Sequence, residues 1–350
     1  MTSKKRSADP DSESDPFGER SPTLMSKRLQ LLGGRVQFDS NSPELLRLVD
    51  LAYTGLPRHR LSNKTPDLRI RLLLTSPPTA QELVRGQHAL SRPQPLPLKL
   101  LHGAGLLGGA TDSSSFVVLS PRERAALVVV SPQMLRFPYH TRYELIEFAV
   151  FTLAARAQRL VPLHAACVGQ GGRGILLMGA SGAGKSTVAL HCLLDQFDFL
   201  SEDSVFVAPQ TMLATGVANF LHVRADSLRW LGRSREAAAI RKSPVIQRRS
   251  GVKKFELDLR SEGFRLAKSP LKIIAVVFLS SQGAGAHPLL KSLPKSELRS
   301  KLAATQAYGA SRPQWRAFNR NVSRLDAFEL RRGRHPLEAV EALRSVLAKR

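Results

Sequence analysis

Hydrophobic and polar positions divide this chain into three regimes. Residues 1–28 are rich in Ser, Asp, Pro and Lys with almost no apolar side chains. Burial there cannot offset the entropy of ordering, so a disordered tail is predicted. From residue 29 short apolar runs begin. Residues 28–32 and 35–38 flank a Gly33-Gly34 turn and predict a hairpin. Ser42-Pro43-Glu44 predicts a helix start, with Ser42 as N-cap and Pro43 in the first helical position, leading into 45–49. Residues 68–72 alternate apolar and polar, as a half-buried strand does. The prolines and glycines of 76–111 argue against long elements until strand-like runs resume at 116–119 and 126–130. Helical periodicity over 143–160 then predicts a helix burying Leu145, Phe148, Leu153 and Leu160. Residues 29–160 thus read as a smaller N-terminal α+β module.

From residue 161 strands and helices alternate. Residues 164–168 and 174–178 flank a Gly-Gly turn and predict neighbouring strands, followed by a helix over 187–194 and a strand-like stretch over 198–207. Residues 271–279 are almost continuously apolar, which predicts a buried central strand. A last helix over 336–348 turns Ala339, Val340, Leu343 and Leu347 to a core. Residues 161–350 therefore read as an α/β domain, with no internal repeat.

One segment of that domain carries chemistry. Gly179, Ala180, Ser181, Gly182, Ala183, Gly184, Lys185, Ser186 and Thr187 spell a complete G-x-x-x-x-G-K-[ST] phosphate loop between a predicted strand and a predicted helix. Its glycines let the backbone fold into a nest of N–H donors, Lys185 can reach β/γ oxygens, and the Ser186 hydroxyl can ligate Mg²⁺. The helix behind it presents its N-terminus to the anion. A Gly/Ser-rich turn with a chance lysine is the alternative, and the strand-loop-helix order disfavours it. The expected ligands are ATP and Mg²⁺. Glu202-Asp203 ends the next strand-like stretch, whose strand is expected beside that of the loop in a βαβ unit. One carboxylate there can hold the metal while its neighbour orients or deprotonates an attacking hydroxyl; the alternative is a solvated acidic turn.

Composition changes the picture in three ways. With 43% hydrophobic content, 350 residues can bury a real core. Two cysteines, Cys167 and Cys192, imply no disulfide framework and suit a reducing cytosol. No apolar segment follows the basic residues at the start, and the aliphatic run 273–279 is too short to span a bilayer, so a soluble cytoplasmic protein is expected. The net charge of +24 invites an anionic partner. Its lysines and arginines are spread along nearly every segment, aromatic content is 6%, and zinc-finger, basic-zipper and RNA-binding signatures are missing. The charge therefore predicts a solvated basic surface that attracts polyanions without sequence specificity.

Leu163-His164-Ala165, the run from Gly174 to Gly179, the phosphate loop and Leu200-Ser201-Glu202-Asp203-Ser204-Val205 together resemble the C-terminal catalytic domain of the HPr kinase/phosphorylase family and its kinase-like relatives. These share a phosphoenolpyruvate-carboxykinase-like fold, so the resemblance implies an α/β P-loop domain of that type. It is strong over 163–207 and weaker beyond, where 220–231, 253–259 and 271–279 follow the expected order of elements. Residues before 160 do not match the family's N-terminal regulatory domain. The resemblance implies that Lys185 and Ser186 are the phosphate and metal groups, that Asp203 is the second carboxylate of the acidic pair and a metal ligand, and that Glu202 replaces the first, the family's proposed base. It also sets His164 beside the pair, orienting a carboxylate or packing. Thr187 stands where the founding kinases carry a glutamate, and the segment tied to the phosphorylase direction is missing after 207. The dense basic run from Arg241 and Lys242 to Arg265 and Lys268 falls where relatives place a loop that closes over the phosphates. Arg248, Arg249, Lys253 and Lys254 are thus candidate clamps, with a solvated loop as the alternative, and Arg224 is a weaker candidate.

The expected function is an ATP- and Mg²⁺-dependent kinase, not bifunctional, acting on an unidentified hydroxyl acceptor, with a serine of a small carrier protein or peptide among the candidates. The hexameric founding family implies a homo-oligomer. Glu202 and Thr187 leave open a nucleotide-binding regulator without turnover. A different P-loop ATPase is the third reading, against which the chain lacks a Leu-Ser-Gly-Gly-Gln segment and a long apolar strand ending in Asp-Glu.

Overall fold

The computed structural model describes residues 24–62, 64–75, 94–112, 114–260 and 263–349, and the chain is a mixed α/β structure with three sheets among them. The first sheet contains β1 (Met25–Leu31), β2 (Gly34–Ser40), β3 (Asp67–Leu74), β4 (Lys99–Gly103), β5 (Leu106–Ala110), β6 (Phe116–Ser120) and β7 (Ala125–Val130), in the order β1-β2-β3-β7-β6-β5-β4. The β1–β2 hairpin turns at Leu32 (φ 50°) and Gly33 (φ 82°), the double left-handed conformation that a two-residue turn between twisted strands requires. Of the expected tail, residues 1–23 lie outside the described residues. Residues 25–28 belong instead to β1, whose polar side chains face mostly outward while its backbone pairs with β2. An edge strand of this kind has the composition of a tail.

Ser42 caps the helix Pro43–Tyr53 as expected, its hydroxyl accepting from the Leu45 amide at 3.4 Å. That helix and Glu147–Ala157 cover one face of the sheet, and the alternation in β3 sends Leu68, Ile70 and Leu72 inward while Arg69 and Arg71 meet solvent. The expected helix over 143–160 differs at both ends. It begins as a π-helical stretch, Thr141–Ile146, continues as Glu147–Ala157, and stops where Arg159 turns to φ 54°. Within 76–111, residues 76–93 lie outside the described residues, and β4 and β5 form a short hairpin in the remainder.

The second half contributes β8 (Val161–His164), β9 (Ala166–Gln170), β10 (Arg173–Met178), β11 (Asp198–Ser201), β12 (Ser204–Ala208), β13 (Leu213–Gly216), β14 (Phe220–Val223), β15 (Val245–Gln247), β16 (Lys253–Asp258), β17 (Leu271–Gly283), β18 (Leu290–Ser292) and β19 (Asp326–Arg332). Its large sheet runs β11-β9-β10-β17-β13-β12-β8, with β19 also on β17 and β18 on β19; β14, β16 and β15 form a small separate sheet. Alternate residues of the central strands feed two cores. Ile175, Leu177, Ala275 and Val277 pack with the helices Lys185–Leu194 and Pro336–Ala348, while Leu176, Met178, Val276 and Phe278 pack with Leu298, Leu302, Phe318 and Val322 opposite. This is the two-sided burial that the run 271–279 predicts.

Two expectations about strand pairing are corrected. The stretch 164–168 is not one strand: it breaks at Ala165, with β8 pairing β12 and β9 pairing β10. The acidic strand β11 does not neighbour the loop strand β10. The tight turn at Gly171 and Gly172 folds β9 onto one edge of β10 and β17 takes the other, so β11 reaches only the far edge of β9. Because β9 is antiparallel to both, β10 and β11 still point the same way, and their C-terminal ends open on the same side of the sheet.

Candidate functional site

The G-x-x-x-x-G-K-[ST] segment sits at the end of β10. Gly179 (φ 147°), Gly182 (φ 82°) and Gly184 (φ 96°) all hold conformations that favour glycine, and at Gly179 a Cβ would come within 2.8 Å of the Leu279 carbonyl of β17. Lys185 opens the helix, almost buried, and its ammonium donates to the Gly179 and Ala180 carbonyls at 2.8 and 3.3 Å. Burial draws its pKa down against the pull of Asp203 and Glu202. The Thr187 hydroxyl turns the other way and pairs with Ser227 Oγ at 3.0 Å.

Glu202 and Asp203 occupy the turn between β11 and β12, and the two carboxylates have different surroundings. Glu202 is buried: Oε1 accepts from Ser186 Oγ at 2.6 Å, and Oε2 accepts from the His222 amide at 2.8 Å with His222 Nδ1 at 3.1 Å. Burial raises its pKa, but the His222 hydrogen bonds and charge hold the carboxyl below the usual glutamate value. The Asp203 side chain is 41% exposed, with Oδ1 3.0 Å from His164 Nδ1 and Oδ2 3.6 Å from Arg248 Nη1. Burial of its surroundings is outweighed by His164 first and then Arg248, and the carboxyl lies well below the ordinary aspartate range. His164 is placed by β8–β12 pairing, where it opposes Ser204, and Gln306 clamps its backbone, accepting from its N–H at 2.8 Å and donating to its carbonyl at 3.1 Å.

The expected basic clamp divides. Arg248 faces Asp203 and comes within 3.5 Å of His222 Nδ1. Arg249 points elsewhere, donating to the Glu144 carboxylate at 2.7 Å and to the Leu96 carbonyl at 2.9 Å. Lys254 is half-buried; burial lowers its pKa while the Glu202 charge opposes that shift. Lys253 is exposed, and Arg224 pairs with Asp226 at 3.0 Å.

Behind the acidic pair lies a network that sequence reasoning did not anticipate. His222 and Glu256 are cross-strand partners of β14 and β16, and His222 Nε2 sits 3.3 Å from Glu256 Oε1 and 3.1 Å from Tyr143 Oη. Glu256 in turn accepts from Arg142, almost fully buried in the π-helical stretch. Burial lowers the His222 pKa, yet hydrogen bonds and charge from Glu202 and Glu256 raise it above the usual histidine value. A buried chain of contacts therefore runs from the Glu202 carboxylate through the His222 ring and the Glu256 carboxylate to the Arg142 guanidinium. Both His222 and Glu256 stand between apolar residues of their strands, Leu221 and Val223, Phe255 and Leu257, which is the signal available in the sequence. The pairing register that joins them is not.

Tyr139, Tyr143, Glu147 and Phe220 line a cleft of about 450 Å³ together with Glu202, Asp203 and Arg248. The N-terminal helices thus wall the site, held to the second sheet by the Phe151–Phe206 ring contact at 5.2 Å and by buried His59 on Thr215 Oγ1 at 2.8 Å. No cluster of three or more His, Cys, Asp or Glu suited to a metal exists among the described residues. Mg²⁺ in phosphate-loop sites takes only one or two protein groups, the rest being phosphate and water.

No protein-family model matches this chain, and no curated protein matches it. Among solved structures it is similar to the Hpr(Ser) kinase/phosphatase from Coxiella burnetii, with 12% identity over 53% of this chain and 95% of that one, at a TM-score of 0.25. A likeness at that level carries no argument about activity. No helix among the described residues is long and apolar enough to cross a membrane. Both cysteines are free and buried, and burial pushes their thiols up.

Proposed function

We propose that this chain is an ATP-dependent phosphotransferase acting on a hydroxyl group, built on a P-loop domain of the phosphoenolpyruvate-carboxykinase-like type over 161–350 with an N-terminal module over 29–160. The observation that carries the reading is the 2.6 Å hydrogen bond from Ser186 to Glu202, with Asp203 adjacent, where β10 and β11 end on one side of the sheet. Loop amides and Lys185 would hold the triphosphate, and Ser186 with the carboxylate beside it would hold Mg²⁺, which would supply charge neutralisation at the transferring phosphoryl group. The geometry favours a division of labour opposite to that implied by the resemblance. Glu202, buried against Ser186 and His222, serves the metal side. Asp203, facing the cleft, orients the acceptor hydroxyl and takes its proton, with His164 holding the carboxylate in place. A carboxylate as weakly basic as Asp203 works mainly by orientation, which suits the loose transition state of phosphoryl transfer. Arg248 offers positive charge on the same side.

The acceptor enters through the cleft between Tyr139, Tyr143 and Phe220. The test is transfer of label from γ-³²P-ATP across a panel of hydroxyl acceptors. Asp203→Asn is expected to lower kcat by about 10²- to 10⁴-fold with ATP affinity within a few-fold of wild type. Lys185→Ala is expected to abolish nucleotide binding; transfer that survives it refutes the assignment.

A further inference from the structure

Away from the phosphate loop, a cavity of about 300 Å³ opens between the end of the helix Glu147–Ala157 and the short helix Ala307–Ala310. Arg122, Arg156, Arg159 and Arg312 line it with Tyr308 and Gln314, and among the described residues its lining contains no Asp or Glu. Arg312 is held in place: Nη2 donates to Ser311 Oγ at 2.9 Å, Nε donates to the Tyr308 carbonyl at 3.4 Å, and the guanidinium stacks 4.6 Å from the Tyr308 ring centroid. Arg156, in the last turn of its helix, is half-buried, and its guanidinium has no hydrogen-bond or ion-pair partner among the described residues. Burial, and after it repulsion from Arg312, draws its pKa below the usual arginine value. Arg122 and Arg159 are exposed at the rim; Arg122 faces Glu123 at 3.8 Å, and Arg159 is turned to the cavity through a left-handed backbone.

Two half-buried guanidinium groups facing one cavity without a counter-charge repel each other, and solvent screens them less than it screens surface charges. An anion placed between them turns that repulsion into two charge-assisted forks, the geometry in which arginine recognises phosphate. We propose that this cavity is a second anion site, separate from the phosphate loop, that takes a phosphate group either free or as the phosphomonoester of a small molecule. Arg156 and Arg312 grip the phosphate oxygens, and Arg122 and Arg159 supply attracting charge at the mouth. The proposal does not depend on the kinase reading, since no residue of the cavity belongs to the phosphate loop or the acidic pair.

The test is equilibrium dialysis with ³²P-labelled inorganic phosphate on the full chain, comparing wild type, Lys185→Ala, Arg156→Gln/Arg312→Gln and the exposed charge control Arg60→Gln. Lys185→Ala is expected to retain the phosphate that the double variant loses, with binding at the cavity weakened roughly ten- to a hundredfold per arginine. Arg156→Lys, which keeps the charge but not the fork, is expected to fall between wild type and Arg156→Gln, and a melting curve at the wild-type midpoint confirms that each variant is folded. Competition by glycerol 3-phosphate assigns the site to phosphomonoesters, and failure to compete assigns it to free phosphate; both outcomes support the shared chemistry. Binding by the folded double variant equal to wild type overturns the proposal, as does an equal loss in Arg60→Gln.

Discussion

Replacing Glu147 by Gln should stabilise the protein at pH 8 and leave it almost unchanged near pH 4.5. Glu147 opens its helix at 4% exposure, and its Oε1 has no hydrogen-bond partner among the described residues. Burial pushes its carboxyl from the ordinary 4.5 up to about 7, against the opposing pull of Arg142 and His222. That separation is worth about 3 kcal/mol at roughly 1.4 kcal/mol per pH unit. The sign follows from where each state holds its proton. Below about 4.5 the carboxyl is protonated in the folded and unfolded chain alike, and glutamine differs little from it. As pH rises towards 7 the unfolded chain releases its proton while the folded chain retains it, so wild-type stability falls; above about 7 the whole cost is present. Glutamine cannot ionise and escapes that cost. With an unfolding entropy of about 2 cal/mol/K per residue, the variant should melt about 4 °C above wild type at pH 8, and the difference should shrink towards zero at pH 4.5. Thermal melts followed by circular dichroism at matched ionic strength measure it. A difference independent of pH, or one favouring wild type at pH 8, refutes the reasoning, because ionised Glu147 would then gain more from Arg142 than burial costs it.

Gly179→Ala should abolish nucleotide binding, because its Cβ would meet the Leu279 carbonyl at 2.8 Å from a φ of 147°. Gly182→Ala, with nothing within 4 Å, should cost only backbone strain of about 1–2 kcal/mol, and titration of a fluorescent nucleotide with a urea melt of each variant separates the two. Arg142→Met should destabilise by about 3–5 kcal/mol in urea unfolding, since it leaves Glu256 buried without its guanidinium, and Arg142→Met/Glu256→Met should recover much of that loss. Because the Asp203 carboxyl lies well below the ordinary range, it stays ionised through mild acid, and kcat against pH should show no limb between 4 and 6 that disappears in Asp203→Asn; such a limb would contradict the pairing with His164 and Arg248.

Much of the local structure was legible in the chain because local rules govern it. The Ser42 cap, the alternation of β3, the apolar run of β17 and the last helix follow from period, capping and burial preferences of neighbouring residues. So does the turn over 179–184, whose glycines hold backbone angles that other residues resist. Residues 25–28 of the edge strand β1 are not legible from sequence, because a solvated strand and an unfolded tail share a composition and what separates them is a partner strand. The order of strands around β10 was also hidden, since a tight hairpin and a distant parallel strand compete for its two edges and the outcome depends on segments a hundred residues apart.

The glycine-rich turn ahead of Lys185 and the acidic pair that follows it are written in the chain directly, because each depends on residues adjacent in sequence. Which carboxylate is buried against Ser186 and which faces the cleft is set by packing between distant segments, as is the joining of His222, Glu256 and Arg142 into one buried chain of contacts. Ionised groups survive burial only beside their counter-charges. Those counter-charges come from strands and helices whose proximity is set by packing and register, which no local pattern records.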